Sequence, residues 1–166
     1  MSFADKVAII TGAGGGLGRE HALLLAEAGA RVVVNDLGGS VDGSGQGDAA
    51  DTVVEEIRAA GGEAVANKDS VSDRDGARRI VETAVKEYGT VDILINNAGI
   101  TRDSTLHRMG SDDWNAVLQT NLTSCYNMCR NVIEDMRESE FGRIVNIGSI
   151  NGQAGQYGQV NYAAAK

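Results

Sequence analysis

The chain has 166 residues, with 15 Lys+Arg against 23 Asp+Glu and a formal charge of −8. So acidic a chain is a poor partner for nucleic acid or an anionic membrane surface, because both are held through neutralised phosphates. A composition of 42% hydrophobic and 23% charged residues excludes wholesale disorder, and no apolar run approaches the ~18–20 residues of a membrane span.

The length suits one domain, residues 1–166. The opening MSFADKVAII lacks the basic flank, apolar stretch and cleavage site of a secretory signal, so the expected compartment is the cytoplasm, or one reached by a signal outside this sequence. Lys6–Thr11 (KVAIIT) reads as a short buried strand that runs into the glycines of Gly12–Gly18. A helix follows, with Leu17, Leu24, Leu25 and Ala28 expected on its inward face and Gly29 as its stop. Arg31–Asp36 (RVVVND) is apolar on both faces, as parallel strands are. The glycine- and serine-rich stretch Gly38–Gly47 reads as a mobile surface loop, with a specificity element as the alternative. A helix over Asp48–Ala60 carries Val53, Val54, Ile57 and Ala60 at helical spacing, and a weaker strand covers Glu63–Lys68. Ser72 with Asp75 resembles a capping box, opening a helix that turns Ala77, Ile80, Val81, Ala84 and Tyr88 inward. Val91–Asn96 is a fourth strand, Ser111 opens one long helix to about Glu138, and Arg143–Gly148 is a fifth strand. A Gly/Gln-rich loop then leads into a last helical stretch, Gln159–Lys166.

This alternation means a parallel sheet with helices on both faces. Right-handed crossovers arrange the strands as a doubly wound α/β sheet in the order 3-2-1-4-5. Such sheets usually continue to a sixth strand. The expectation is therefore a chain truncated before strand 6, roughly the N-terminal two-thirds of a complete domain, with an open edge at the fifth strand. The absence of proline points the same way, and the 22 glycines mark tight backbone approaches. Cys125 and Cys129 share a helical face and read as core thiols rather than a disulfide framework. His21 and His107 have no ligand-spaced partner, so no metal site is expected. Asp112, Asp113, Glu134 and Asp135 read as solvated helical acids.

Chemistry gathers at three places. Thr11-Gly12-Ala13-Gly14-Gly15-Gly16-Leu17-Gly18 lies between a strand and a helix. Glycines there allow a tight turn and let the backbone approach a pyrophosphate, which meets the free N–H groups of the helix. Asp36 ends the next strand, 18 residues after Gly18, close to the ~20 expected of a carboxylate that binds an adenosine ribose. It would repel a 2′-phosphate and Gly15 offers no charge to hold one, so the pattern points to NAD over NADP. Second, Asn121 interrupts the apolar stripe Trp114, Val117, Leu118, Leu122, Cys125, Met128, Cys129, Val132 and Met136. A buried amide must have its hydrogen bonds met, so Asn121 either ties to backbone or belongs to a polar site. Third, Ser149 follows the fifth strand at its carboxyl end, where open α/β sheets bind ligands. Tyr162 and Lys166 are four apart on the last helix and share a face. An ammonium near a phenol favours the phenolate and lowers a pKa that starts at about 10, which would let Tyr162 exchange a proton with an alcohol or ketone.

These residues together resemble the short-chain dehydrogenase/reductase family across the whole chain. Thr11, Gly12, Gly16 and Gly18 match its T-G-x-x-x-G-x-G loop, Asn96-Asn97-Ala98-Gly99 its N-N-A-G signature, and Asn121, Ser149, Tyr162 and Lys166 its catalytic tetrad. The resemblance implies a Rossmann-type fold and hydride transfer between NAD(H) and a secondary alcohol or ketone. It implies Tyr162 as general acid/base and Lys166 as the group that lowers its pKa and holds the nicotinamide ribose. Ser149 would hydrogen-bond the substrate oxygen, and Asn121, through its backbone and a water, would be a proton relay. Gly12, Gly14, Gly15, Gly16, Leu17, Gly18 and Asp36 would hold the pyrophosphate and ribose. Asp69 and Ser70 would contact adenine, Ser70 standing where the family usually has Val, and Asn97, Ala98 and Gly99 would line the adenosine side. The stretch VVVNDLGGSVDGSGQGDAADTVVEEIRAAGGEAVAN is similar to the (3R)-hydroxyacyl-CoA dehydrogenase part of peroxisomal multifunctional enzymes. GRIVNIGSINGQAGQYGQVNYAAAK looks like bacterial 3-oxoacyl-thioester reductases. Both imply a 3-hydroxyacyl or 3-oxoacyl thioester as the small-molecule substrate, and family members are commonly homo-oligomers when complete. A chain ending at Lys166 is expected to be inactive or unstable by itself. Another secondary alcohol as substrate, and a nucleotide-binding module without catalysis, stand as alternatives.

Overall fold

The computed structural model describes residues 2–166. Five parallel strands form one sheet in the order β3-β2-β1-β4-β5. They are β1 (Val7–Thr11), β2 (Arg31–Asn35), β3 (Glu63–Asn67), β4 (Ile93–Asn96) and β5 (Arg143–Asn146). The helices between them are α1 (Gly16–Glu27), α2 (Ala49–Ala59), α3 (Arg74–Tyr88), α4 (Ser111–Leu118) and α5 (Ser124–Glu138), followed by two short helices, α6 (Ile150–Ala154) and α7 (Val160–Ala165). The expected doubly wound order is the observed one.

Alternate strand residues feed two cores, as the period of two requires. Ala8, Ile10, Val32 and Val34 meet α1 and α2 through Ala22, Ala26, Val53 and Ile57. Val7, Ile9, Val33 and Leu94 meet α3 and α5 through Ile80, Ala84, Met128 and Val132. β5 is the exception: it lies at the edge, Val145 is 44% exposed, and among the described residues nothing pairs with its outer side.

The carboxyl edge of the sheet, where the site lies, is levelled by a row of strand-ending polar residues. Asn35 and Asn67 are in register, and Asn35 Nδ2 donates to Asn67 Oδ1 at 3.0 Å. Asn96 and Asn146 repeat the arrangement, Asn96 Nδ2 donating to Asn146 Oδ1 at 2.8 Å. Between the pairs, the Thr11 hydroxyl accepts the N–H groups of Asn97 and Ala98, each at 3.1 Å.

Four expectations are corrected. The inward face of α1 is Gly18, Ala22 and Ala26, while Leu17 and Leu24 are 65% and 64% exposed; small residues at i, i+4, i+8 let the helix sit close on the sheet, and that proximity outweighs the larger leucines. The long helix over 111–138 is two helices joined by a π-helical turn, Gln119–Thr123. The wider turn shifts the faces by about one residue's rotation, so Leu122 falls outward at 49% exposure while Asn121 and Ser124 are buried. α3 is capped by Asp73, whose carboxylate accepts the Gly76 N–H at 2.8 Å, and not by Ser72. Part of the Gly/Gln-rich loop is the helix α6, with Ser149 as its N-cap. Among the described residues no helix is long and apolar enough to cross a membrane.

Candidate active site

The glycine loop divides into positions that touch protein and positions that face open space. A Cβ on Gly12, which has φ +63°, would lie 2.7 Å from the Ala98 Cα. One on Gly14 would lie 2.6 Å from the Ala49 Cβ and 2.8 Å from the Asp36 carboxyl carbon. One on Gly18 would run into the Gly12 carbonyl and the Asn97 amide. Gly12 and Gly18 let β1, β4 and α1 converge, and Gly14 lets the loop sit against α2 and Asp36. Gly15 and Gly16 differ: a Cβ on either meets nothing within 4 Å. Gly15 is the N-cap of α1, with no side-chain cap and no acidic residue in the first turn. The amino end of α1 is therefore an uncapped set of N–H donors fronting open space, the arrangement that holds a phosphate. Exposed Leu17 flanks it.

Asp36 stands directly after β2 and reaches back to this loop. Its Oδ2 accepts the Gly14 N–H at 2.8 Å and its Oδ1 the Gly38 N–H at 2.6 Å. Each oxygen keeps a further lone pair for a ribose hydroxyl. Asp69 and Ser70 follow β3. The Asp69 carboxylate pairs with Arg79 at 2.6 Å and accepts from Asn67 Nδ2 at 3.0 Å, while the Ser70 hydroxyl accepts the Ser72 N–H at 3.3 Å. Asn97 serves the scaffold: its Nδ2 donates to the carbonyls of Thr11 and Gly12 at 3.0 and 2.9 Å. It thereby fastens the end of β4 to the glycine turn, with Ala98 against Gly12.

Beyond Ala98 the chain enters the second half of the site. Gly99 lies against Asn121 and Lys166, since a Cβ there would be 3.3 Å from Asn121 Oδ1 and 3.6 Å from Lys166 Nζ. The buried Asn121 side chain closes a two-way bridge to Ile100, its Oδ1 accepting the Ile100 N–H at 2.8 Å and its Nδ2 donating to the Ile100 carbonyl at 3.0 Å. Of the two readings of this amide, the tie to backbone is the one its side chain makes. Its own carbonyl lies in the π-helical turn and accepts the Cys125 thiol at 3.6 Å.

Lys166 Nζ donates to the Ile147 carbonyl at 2.7 Å and lies 6.0 Å from the Tyr162 ring centroid. Burial pushes this ammonium's pKa below its ordinary value. Ser149 follows Ile147 by two residues, and its hydroxyl accepts the Asn151 N–H at 3.2 Å. Its helix α6 closes on α7 at Gly152, where a Cβ would lie 2.6 Å from the Lys166 carbonyl carbon. Asn121 and Lys166 thus meet beside Gly99, the Tyr162 ring faces Lys166, and Ser149 lies two residues past the carbonyl that holds Lys166. Cys129 accepts from Asn96 Nδ2 at 3.5 Å, and burial pushes its thiol up.

Two further residues were not singled out by the sequence. Asn161 is 0% exposed and is hydrogen-bonded at both ends of its amide. Arg102 joins the Gly38–Gly47 loop to Asp113 of α4. Asp113 is therefore an ion-pair partner and not a purely solvated acid, and the loop has a defined conformation: the Thr101 N–H donates to the Val41 carbonyl at 3.1 Å. The available signal for Asn161 was an amide adjoining Tyr162 on the inward side of a short helix.

The open cradle, the uncapped donors, the carboxylate after β2 and the Tyr162–Lys166 pair fit a nicotinamide dinucleotide. The family model described as short chain dehydrogenase matches residues 6–166. The chain is 52% identical, over all of its length, to 18% of the peroxisomal hydratase-dehydrogenase-epimerase of Saccharomyces cerevisiae. It is 44% identical to the 3-oxoacyl-[acyl-carrier-protein] reductase of Synechocystis, with 97% of this chain aligned to 62% of that one. A crystal structure of a short chain dehydrogenase from Mycobacterium avium superposes with a TM-score of 0.90 at 43% identity, covering 99% of this chain and 59% of that one. The chain thus spans less than two-thirds of the length of these relatives.

Proposed function

The chain belongs to the short-chain dehydrogenase family, and from that premise we propose that it exchanges hydride between NAD(H) and the 3-hydroxy or 3-oxo group of an acyl thioester. The observation that carries the reading is the half-buried Lys166 ammonium, held by the Ile147 carbonyl and set beside the Tyr162 ring. The nicotinamide, when bound, supplies the hydride acceptor or donor. The chain's own residues handle the proton and the charge. Tyr162 takes the proton from the substrate hydroxyl, or returns it to the carbonyl oxygen. Lys166 stabilises the phenolate form of Tyr162, which accepts the proton in the first direction and remains after the second. Ser149 donates to the substrate oxygen as alkoxide character develops. Asn121 holds Ile100 and, through its carbonyl in the π-helical turn, offers an acceptor for a water that refills the proton path.

NAD is favoured over NADP because the Asp36 carboxylate would face a 2′-phosphate with like charge. The thioester class is supported by the similarity to a 3-oxoacyl-[acyl-carrier-protein] reductase.

The test is Tyr162→Phe in the full-length enzyme, assayed with NAD and a 3-hydroxyacyl-CoA. Turnover should fall about 10²–10⁴-fold, the usual contribution of a positioned acid/base, while NADH fluorescence titration stays at the wild-type affinity. Retained turnover would remove Tyr162 from the chemistry. Wild-type turnover of other secondary alcohols but of no thioester would move the substrate class.

A further inference from the structure

The segment Ile100–Ser104, directly after Gly99, is tied down in four directions. Ile100 is clasped by Asn121. Thr101 N–H and Arg102 Nε donate to the carbonyls of Val41 and Asp42 in the Gly38–Gly47 loop, at 3.1 and 3.0 Å. Ile100 also packs under that loop: a Cβ on Gly43 would lie 3.2 Å from its Cδ1. Arg102 Nη1 pairs with Asp113 of α4 at 3.4 Å. On the remaining side, Asn161 Nδ2 donates to the carbonyls of Arg102 and Asp113, at 2.9 and 3.3 Å, while its Oδ1 accepts the Tyr162 N–H at 2.8 Å. Ser104 N–H donates to the Gly158 carbonyl at 2.8 Å, just ahead of α7.

The loop on one side of this strap is rooted in the Asp36 carboxylate, which holds the Gly38 N–H at 2.6 Å. The helix on the other side carries Tyr162 and Lys166. A fully buried amide with no solvent contact, spending both ends between the strap and the Tyr162 backbone, has no role as a surface cap.

We propose that Asn161 and Arg102 are positioning residues that relay occupancy at Asp36, through the strap, to the helix carrying Tyr162 and Lys166. The relay rests on the dinucleotide reading of the site. A ribose hydroxyl at Asp36 shares the carboxylate with the Gly38 N–H and so holds the root of the loop more firmly; Arg102 passes that restraint to the strap and so to Asn161. The helix that carries Tyr162 is held more tightly when the adenosine end is filled.

Adenosine 5′-diphosphate separates this from direct contact, since it fills the adenosine end and has no nicotinamide to touch Tyr162. In the wild-type protein, ADP should slow amide hydrogen exchange in 100–104 and in 160–165 as well as around the glycine loop. The slowing expected is roughly two- to thirtyfold, the size of couplings carried through packed networks. Arg102→Gln, a change at the rim, should bind ADP with wild-type affinity yet lose the slowing at 160–165. Asn161→Asp keeps the acceptor for Tyr162 N–H and removes the donor to the strap, and should lose it too. In both variants kcat for the thioester should fall about 10- to 100-fold with KM unchanged. ADP that binds wild-type protein and leaves exchange at 160–165 untouched overturns the relay alone. ADP that does not bind overturns the dinucleotide reading and the relay together. Arg102→Gln that keeps both the slowing and kcat removes Arg102 from the path.

Discussion

The amino ends of α1 and α3 occupy equivalent places, each following a parallel strand at the carboxyl edge of the sheet. α3 is closed: Asp73 caps it, Asp75 lies in its first turn, and Arg79 pairs with Asp69 at 2.6 Å and with Asp73 at 3.7 Å. α1 is open: Gly15 has no side chain, its first turn has no acid, and the space in front is empty of protein. Every free N–H group at a helix start needs a partner. At α3 the chain supplies one, whereas at α1 the donors are left to water or to a ligand. One β-α unit used twice in the same sheet therefore gives a fastening in one place and a receptor in the other.

The contrast can be broken from either side. Gly15→Asp should have the largest effect. Gly15 is extended, with φ −167°, and a Cβ there meets nothing within 4 Å, so the fold accepts the change. A carboxylate in the phosphate's place should weaken NADH by at least ~100-fold, since like charges brought together cost several kcal/mol. The same cap should raise stability by about 0.5–1 kcal/mol in thermal melts. NADH affinity unchanged in this variant would put the dinucleotide phosphates elsewhere. Asp36→Ala should narrow the NAD-over-NADP ratio of kcat/KM by about 10- to 100-fold, the worth of charge-assisted hydrogen bonds; a better NADP rate in the wild type would reverse the reading of that carboxylate. Gly18→Ala forces a Cβ onto the Gly12 carbonyl and should cost about 1–3 kcal/mol in denaturant unfolding. Asp73→Ala is the converse of the first change. It should lower stability by about 1 kcal/mol and leave NADH titration where it was, and a loss of affinity would mean that the two helix ends are not separable.

The strand order was legible because it rests on patterns a few residues long, buried apolar runs and glycines at turns, and the nearness of Tyr162 to Lys166 was legible in their spacing of four residues. What the sequence concealed depends on neighbours distant in the chain. Leu17 and Leu24 point outward because Gly18, Ala22 and Ala26 allow a closer approach than leucines could. The π-helical turn has no sequence marker, since nothing in Gln119–Thr123 forbids an ordinary α-turn; the pull of Asn121 on Ile100 accompanies it. Asp73 displaced Ser72 as the cap by one residue of chain entry. Asn97 reads as a ligand contact by motif and as a brace by geometry, because its donors face the glycine turn. Asn161 had only a faint sequence signal, its place beside Tyr162, since an amide's importance lies in what meets its two ends.

The strand-ending amides have a consequence for how such a frame can change over generations. Asn35 with Asn67, and Asn96 with Asn146, pin neighbouring strands against sliding at the line where the ligand-facing segments begin. An insertion upstream of that line would drag every following contact out of alignment, whereas one downstream merely lengthens a loop. The stretch after Asp36 can thus be rebuilt, lengthened or exchanged to suit a new molecule while the scaffold behind it stays untouched.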